Sequence, residues 1–309
     1  MTKQANCLLC NSEEYILVKE FPDGVKVGRC KSCGFLYTPV MDSVPENLFG
    51  ASTADVLTVF YDPIVKGRVK HFRHQNFKDY LGVVSTYSKS KRLLDIGCAH
   101  GFFGLEARKN GYDVSGVEPH PAMGKFAKDV LQLPIFPGTF ATANIPDSRW
   151  DIATFTDSME YFPDPVADLK KLREKHLNDQ GIVFIKVPNG DYFVLRHWIQ
   201  RKLGVKAGGS EAFAPSKRVA HYNQKSIRQL LEISGFTVLK IGYLQPVHSP
   251  VWPKYTGLWL EFEAPFFMQW KQVIARKVIH ALGKIQYALA GRNHFSQGIY
   301  VVGRKGIAH

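Results

Sequence analysis

One stretch, Lys91-Arg-Leu-Leu-Asp95-Ile-Gly97-Cys98-Ala99-His100-Gly101-Phe-Phe-Gly104, restricts what this 309-residue chain can fold into more than any other. Arg92–Ile96 is a short apolar run of strand length, Gly97–Gly101 a tight turn, and Leu105–Lys109 a helical continuation. Asn110-Gly111 stops that helix, Tyr112–Val117 reads as the next strand, and Glu118 ends it. This is one βαβ unit, the building block of a parallel sheet with helices on its faces. The glycines let the backbone approach a ligand closely. A carboxylate at the end of the second strand, 21 residues after Gly97, can accept both hydroxyls of a ribose.

The same residues discriminate between nucleotides. A dinucleotide fingerprint started at Gly97 needs glycines at 99 and 102, where the chain has Ala99 and Phe102. Asp95, two residues before the turn, would repel a pyrophosphate and suit a cation. S-adenosylmethionine carries a sulfonium and an amino group and no phosphate, so it matches this acid-flanked turn better than NAD does.

A second signal stands at the start of the chain. Cys7-Leu-Leu-Cys10 and Cys30-Lys-Ser-Cys33 form two C-x2-C pairs separated by nineteen residues. Zn²⁺ takes four such thiolates as a tetrahedron, and with no open position the metal is expected to be structural. Glu14–Glu20 and Val25–Arg29 read as strands turned around Pro22-Asp23-Gly24, which makes residues 1–40 a zinc ribbon. So small a unit gains its folding energy from the metal.

At 45% hydrophobic and 22% charged, the chain can bury a sizeable core. It has no run of eighteen apolar residues and no apolar segment at its N-terminus, so the expected location is cytoplasmic. Residues 41–64 read as linker and Val65–Tyr87 as a helix. The net charge of +13 is unevenly placed: from Tyr192 onward stand 17 Lys and Arg against 4 Asp and Glu. Tyr192–Lys206 and Pro265–Leu289 read as helices. In the second, Phe266, Trp270, Val273, Ile274, Val278, Leu282, Ile285 and Leu289 recur at helical spacing beside Lys271, Arg276, Lys277 and Lys284. Such a helix either faces a core or lies on an anionic membrane surface, and a peripheral contact through 265–292, on the inner membrane face, is one expectation.

LLDIGCAHGFFGLEARKNGYDVSGVEPHP resembles the first motif and second strand of class I S-adenosylmethionine-dependent methyltransferases. Trp150–Pro165, with Met-Glu-Tyr-Phe-Pro-Asp-Pro, is similar to their fourth strand and following loop. Gly181–Asn189 resembles their fifth strand, His221–Phe236 their last helix and turn, and Gly298–Arg304 their final strand. The pairing with a zinc ribbon resembles bacterial methyltransferases of sugar and glycan pathways. The resemblance implies an α/β, Rossmann-like, doubly wound and mostly parallel seven-stranded sheet over 91–309, with a basic helical insertion at about 246–295. It implies that Asp95, Gly97, Cys98 and Gly101 lie against the methionine moiety, that Glu118 holds the ribose, and that Asp157 stands near the methionine end. The family often has an acid after its third strand. Here that place reads Gly138-Thr139-Phe140-Ala141, so Phe140 is the candidate for adenine contact or for plain core packing.

Methyl transfer is a displacement at the sulfonium methyl, helped by a base where the nucleophile must lose a proton. Glu160 and Tyr161, after the fourth strand, and His221 and Tyr222, before the last helix, are the candidate catalytic or acceptor-holding residues. His221 is the leading one, as base or acceptor anchor, and each could equally serve as a loop anchor or cap. The leading expectation is a small-molecule or glycan-precursor acceptor, lipid-linked in one version. An RNA methyltransferase and a non-catalytic scaffold that binds a protein through the ribbon are the alternatives. Residues 1–191 are net neutral, so the ribbon adds no basic surface, and this argues against nucleic acid as the partner.

Overall fold

The computed structural model describes residues 6–21, 25–39, 64–68, 71, 73–146, 148–204, 218–243 and 266–306. The expected turn at 22–24, the linker from 41 to 63 and the insertion from 246 to 265 lie outside them. In chain order the described elements begin with β1 (Tyr15–Glu20), β2 (Lys26–Cys30), β3 (Leu36–Tyr37), α1 (His74–Tyr87), β4 (Arg92–Ile96), α2 (Phe102–Lys109) and β5 (Asp113–Glu118). Then come α3 (Pro121–Asp129), β6 (Ile135–Pro137), β7 (Trp150–Thr156), α4 (Pro165–Lys171), β8 (Leu177–Pro188) and α5 (Gly190–Leu203). The last are β9 (Ala220–His221), α6 (Gln224–Ile233), β10 (Phe236–Tyr243), α7 (Phe266–Ala290) and β11 (Gly298–Lys305).

Seven strands form one sheet in the order β10-β11-β8-β7-β4-β5-β6. The pairs from β8 to β6 are parallel, and β11 runs antiparallel between β8 and β10. This is the expected mostly parallel Rossmann-like sheet. Its strands read as apolar runs because both faces are covered. Alternate residues go to opposite cores. Leu93, Ile152 and Phe184 pack with Phe77, Tyr80 and Val84 of α1, while Leu94, Phe155 and Ile185 pack with Ile227, Leu230 and Leu231 of α6. The helices start on local signals: Asp164 caps α4 by accepting from the Ala167 N–H at 3.0 Å, and Asn223 and Ser226 form a capping box on α6. Of the expected helix over 65–87, the described residues show a continuous helix from His74 to Tyr87. Gly67 sits at φ +70, a left-handed conformation that interrupts a right-handed helix.

A second, antiparallel sheet has the order β1-β2-β3-β9. Its fourth strand comes from far along the chain: Leu36 pairs with His221 and Tyr37 with Ala220. Cys7, Cys30, Phe35 and Tyr37 therefore share one core with Tyr222 and the α6 face of the large sheet.

Candidate active site

The parallel strand order reverses at β4 and β7, the place where open α/β sheets hold ligands beyond their carboxyl ends. The β4–α2 turn there has Gly97 at φ +75, Ala99 at φ +49 and Gly101 at φ +77. The N–H groups of Gly97 and Cys98 both donate to the Val117 carbonyl, at 2.8 and 3.1 Å, which ties the turn to β5. A Cβ on Gly97 would lie 2.5 Å from the Ser158 Cβ, so only glycine lets the β7 loop close onto this turn. Ala99 takes a left-handed conformation without being glycine, a strained backbone of the kind that functional turns retain.

Two buried acids flank the turn. Glu118 accepts from the Ala99 N–H at 2.7 Å through Oε2 and from the His120 N–H at 2.8 Å through Oε1. A carboxylate has about four lone-pair sites, so each oxygen keeps one for a hydroxyl. Burial pushes the Glu118 carboxyl up, against the pull of those two N–H groups. Asp95 accepts from the Thr154 hydroxyl at 2.8 Å through Oδ1, and its buried Oδ2 has no partner among the described residues. Burial, opposed by Thr154 and aided by the Glu118 charge, raises its carboxyl to about 7. An orphaned acidic oxygen beside a carboxylate with free lone pairs fits a cationic, ribose-bearing ligand. Phe140 is buried, with its ring edge-to-face to His176 at 5.7 Å and the Lys171 ammonium 4.9 Å from its centroid.

Asp157 follows β7 at φ +58. It forms an ion pair with Lys186 of β8 and accepts from the Arg73 guanidinium at 2.8 Å. Burial alone would raise its carboxyl, but Lys186 and Arg73 override this and hold it below the usual carboxylate range. Burial in turn pulls the Lys186 ammonium down against Asp157. Glu160, in the turn Met159–Tyr161, is 1% exposed, and Arg218 Nε stands 3.8 Å from its Oε1. Burial first, then the Asp157 charge, raises the Glu160 carboxyl to about 7. Tyr161 is partly exposed in the same turn.

His221 and Tyr222 stand in the seam with the N-terminal sheet. His221 is a buried β9 residue whose imidazole is pushed down to about 3 by burial and by Arg218. Tyr222 is fully buried with its ring 5.2 Å from Phe35, and its carbonyl accepts from the Gly190 N–H at 2.6 Å. The structure thus brings Glu160, Tyr161 and Asp157 together and adds three cations absent from the sequence-based candidates: Arg73, Lys186 and Arg218. Only Lys186 left a signal, as a lysine inside the apolar run Gly181–Val187.

The four N-terminal sulfurs lie within 4.8 Å of one another, with Cys7 to Cys33 and Cys10 to Cys30 each 3.5 Å apart. A tetrahedral zinc with bonds of about 2.3 Å spaces its sulfurs by about 3.8 Å, so the cluster fits that ion. The two knuckles match. Asn11 and Gly34, each following a C-x2-C, sit at φ +59 and +79 and donate to the carbonyls of Cys7 and Cys30.

On α7, Ile274, Val278, Leu282, Ile285 and Leu289 are exposed, as are Lys277 and Lys284. These five apolar side chains therefore do not face a core. No helix among the described residues is long and apolar enough to cross a membrane.

A family model described as "Methyltransferase domain" matches residues 69–241, more than half of the chain. The plantazolicin methyltransferase BpumL, solved in complex with SAH, aligns at TM-score 0.50 and 16% identity, covering 85% of this chain and 93% of its own. A possible histamine N-methyltransferase from Thermotoga maritima aligns at 0.48 and 16%, covering 82% and 97%. A SAM-dependent methyltransferase from Archaeoglobus fulgidus aligns at 0.48 and 17%, covering 81% and 99%. At such identities the likeness is one of fold. No curated protein matches the sequence.

Proposed function

This chain belongs to the methyltransferase-domain family and is an enzyme of that class, and from that premise we propose that it moves a methyl group from S-adenosylmethionine to a small molecule or glycan precursor. The observation that carries the choice of donor is the buried Asp95 Oδ2, left without a partner beside the glycine turn. The donor's sulfonium supplies the electrophilic methyl. Asp95, with Gly97, Cys98 and Gly101 of the turn, faces the donor's charged end, and Asp157 borders it. Glu118 accepts from the ribose hydroxyls, and Phe140 gives the adenine end an apolar neighbour. Glu160, Tyr161, His221 and Tyr222 line or brace the acceptor side. Cys7, Cys10, Cys30 and Cys33 hold a structural Zn²⁺ that stabilises the N-terminal sheet.

Isothermal calorimetry tests the donor. Binding of S-adenosylhomocysteine, with none of NADH, is expected. The reverse result would replace the donor assignment with a dinucleotide one.

The acceptor reaches the enzyme at a lipid surface in this reading. The exposed apolar stripe of α7 lies in a segment, 266–290, that has four Lys and Arg and no Asp or Glu. Apolar side chains beside uncompensated cations suit an anionic interface.

A further inference from the structure

Asp157 and Glu160 are neighbouring carboxylates in different surroundings. Asp157 is engaged by Lys186 and Arg73. Neither oxygen of Glu160 has a hydrogen-bond partner among the described residues, although the residue is buried. Arg218 faces it with Nε 3.8 Å from Oε1, too far for a hydrogen bond, and that Nε is itself buried without an acceptor among the described residues. A buried donor and a buried acceptor 3.8 Å apart are thus both left unsatisfied. Glu160 also follows a residue packed on the glycine turn. Ser158, two residues before Glu160, donates to the Ile96 carbonyl at 2.6 Å and packs where a side chain at position 97 would go.

Building on the methyltransferase reading, we propose that Glu160 and Arg218 hold the nucleophile of the acceptor, and that this nucleophile is a hydroxyl. The valences of a hydroxyl match the pair. It donates its proton to Glu160, accepts from Arg218 Nε with one lone pair, and keeps the other lone pair for attack. A neutral amine has a single lone pair, for which Arg218 and the methyl group would compete. An ammonium is repelled by the guanidinium, and a carbon acceptor has no lone pair to offer it.

In the step, the hydroxyl oxygen bonds to the methyl carbon. The carbon–sulfur bond breaks with its electron pair left on sulfur. The hydroxyl proton passes to Glu160 and from there to solvent. The products are a methyl ether and the neutral thioether.

The surroundings prepare Glu160 for this exchange. Burial and the Asp157 charge raise its carboxyl, while Arg218 and Lys186 lower it. Arg73, Tyr161 and Tyr222 complete the titratable groups that sense its charge. Two adjacent carboxylates pushed apart in this way divide into one that stays ionised and one that trades a proton near neutrality.

The test uses the full-length, zinc-loaded protein. Infrared titration of the S-adenosylhomocysteine complex from about pH 5 to about pH 9 is expected to show a carboxyl titrating near neutrality that is absent from Glu160→Gln. Arg218→Gln is expected to shift that titration upward. A Glu160 titration unmoved by Arg218→Gln overturns the proposal. In parallel, donor labelled with ¹³C in its methyl is offered to nucleotide sugars paired as hydroxy and amino forms. Label on oxygen, slowed about 10²–10⁴-fold by Glu160→Gln with unchanged S-adenosylhomocysteine affinity, supports it. Label on nitrogen or carbon overturns it. Failure of the wild type to bind S-adenosylhomocysteine would instead sink the donor assignment.

Discussion

The Thr38 hydroxyl donates to the backbone carbonyl of Arg218 at 3.0 Å. The Thr38 N–H donates to the Val219 carbonyl at 3.0 Å, and the Val219 N–H donates in turn to the Glu160 carbonyl at 2.9 Å. The N-terminal sheet is thus hydrogen-bonded, through residues 218–221, to the turn that holds Glu160. Leu36 and Tyr37, which pair with His221 and Ala220, lie three and four residues beyond Cys33.

Stripping the proposed zinc with a chelator is therefore expected to speed amide exchange across residues 218–222. S-adenosylhomocysteine affinity should stay unchanged. Cys30→Ser should lose stoichiometric zinc and show the same exchange pattern. Retained zinc in that variant would contradict the four-thiolate assignment. Exchange unaltered by metal loss would show that the seam holds without the cluster.

Glu118→Ala removes the carboxylate proposed to accept from two ribose hydroxyls and should weaken S-adenosylhomocysteine by about 1.5–3 kcal/mol. Calorimetry reads this directly. Because the Ala99 N–H also loses its partner, the melting temperature should be recorded alongside; unchanged affinity refutes the ribose role.

Gly97→Ala places a methyl group 2.5 Å from the Ser158 Cβ on a backbone at φ +75. The conformational strain alone should cost about 1–3 kcal/mol in denaturant unfolding, and the contact adds to it. Compared with Ser158→Gly alone, which already gives up the hydrogen bond to the Ile96 carbonyl, the double variant should show the strain without the contact. Full recovery to the Ser158→Gly level would mean that the backbone angle costs nothing here.

His221 gives a pH prediction whose sign follows from proton binding. Its folded value near 3 lies below the ordinary 6.5. Between these values the unfolded chain binds a proton that the folded chain does not, so stability falls as pH drops below about 6.5. His221→Gln should flatten this acid-side loss when denaturant midpoints are compared from pH 7.5 down to pH 5. An identical slope in both proteins would show that the imidazole charges without cost in the fold.

For α7, the full-length protein should float with vesicles containing anionic lipid at low salt and be released as salt rises. Leu282→Glu and Ile285→Glu together should abolish flotation without altering S-adenosylhomocysteine binding. A wild-type protein that stays unbound at low salt ends the lipid-surface reading, and self-association through the same stripe would point to a second copy.

The parts readable in the sequence were those governed by near neighbours. The strand, turn and helix from Arg92 to Lys109 follow from apolar period and glycine placement, while the seven-stranded sheet was expected only from the family resemblance. The cysteine knuckles follow from spacing alone. Strand β9 escaped because two residues carry no periodic signal. The amphipathic pattern of α7 was visible, but a stripe looks the same whether it meets a core or water.

What the sequence determined by itself was a nucleotide-type turn flanked by two acids, and four thiolates spaced for one ion, because backbone conformation over a few residues depends on those residues. Only tertiary structure decided that Arg73 and Lys186 meet at Asp157, and that Arg218 meets Glu160 under the grip of Thr38. Arg73 stands 84 residues from Asp157, and Thr38 180 residues from Arg218. Coulomb energy and desolvation act through space, so which charge compensates which is set by how the chain closes on itself, not by its order.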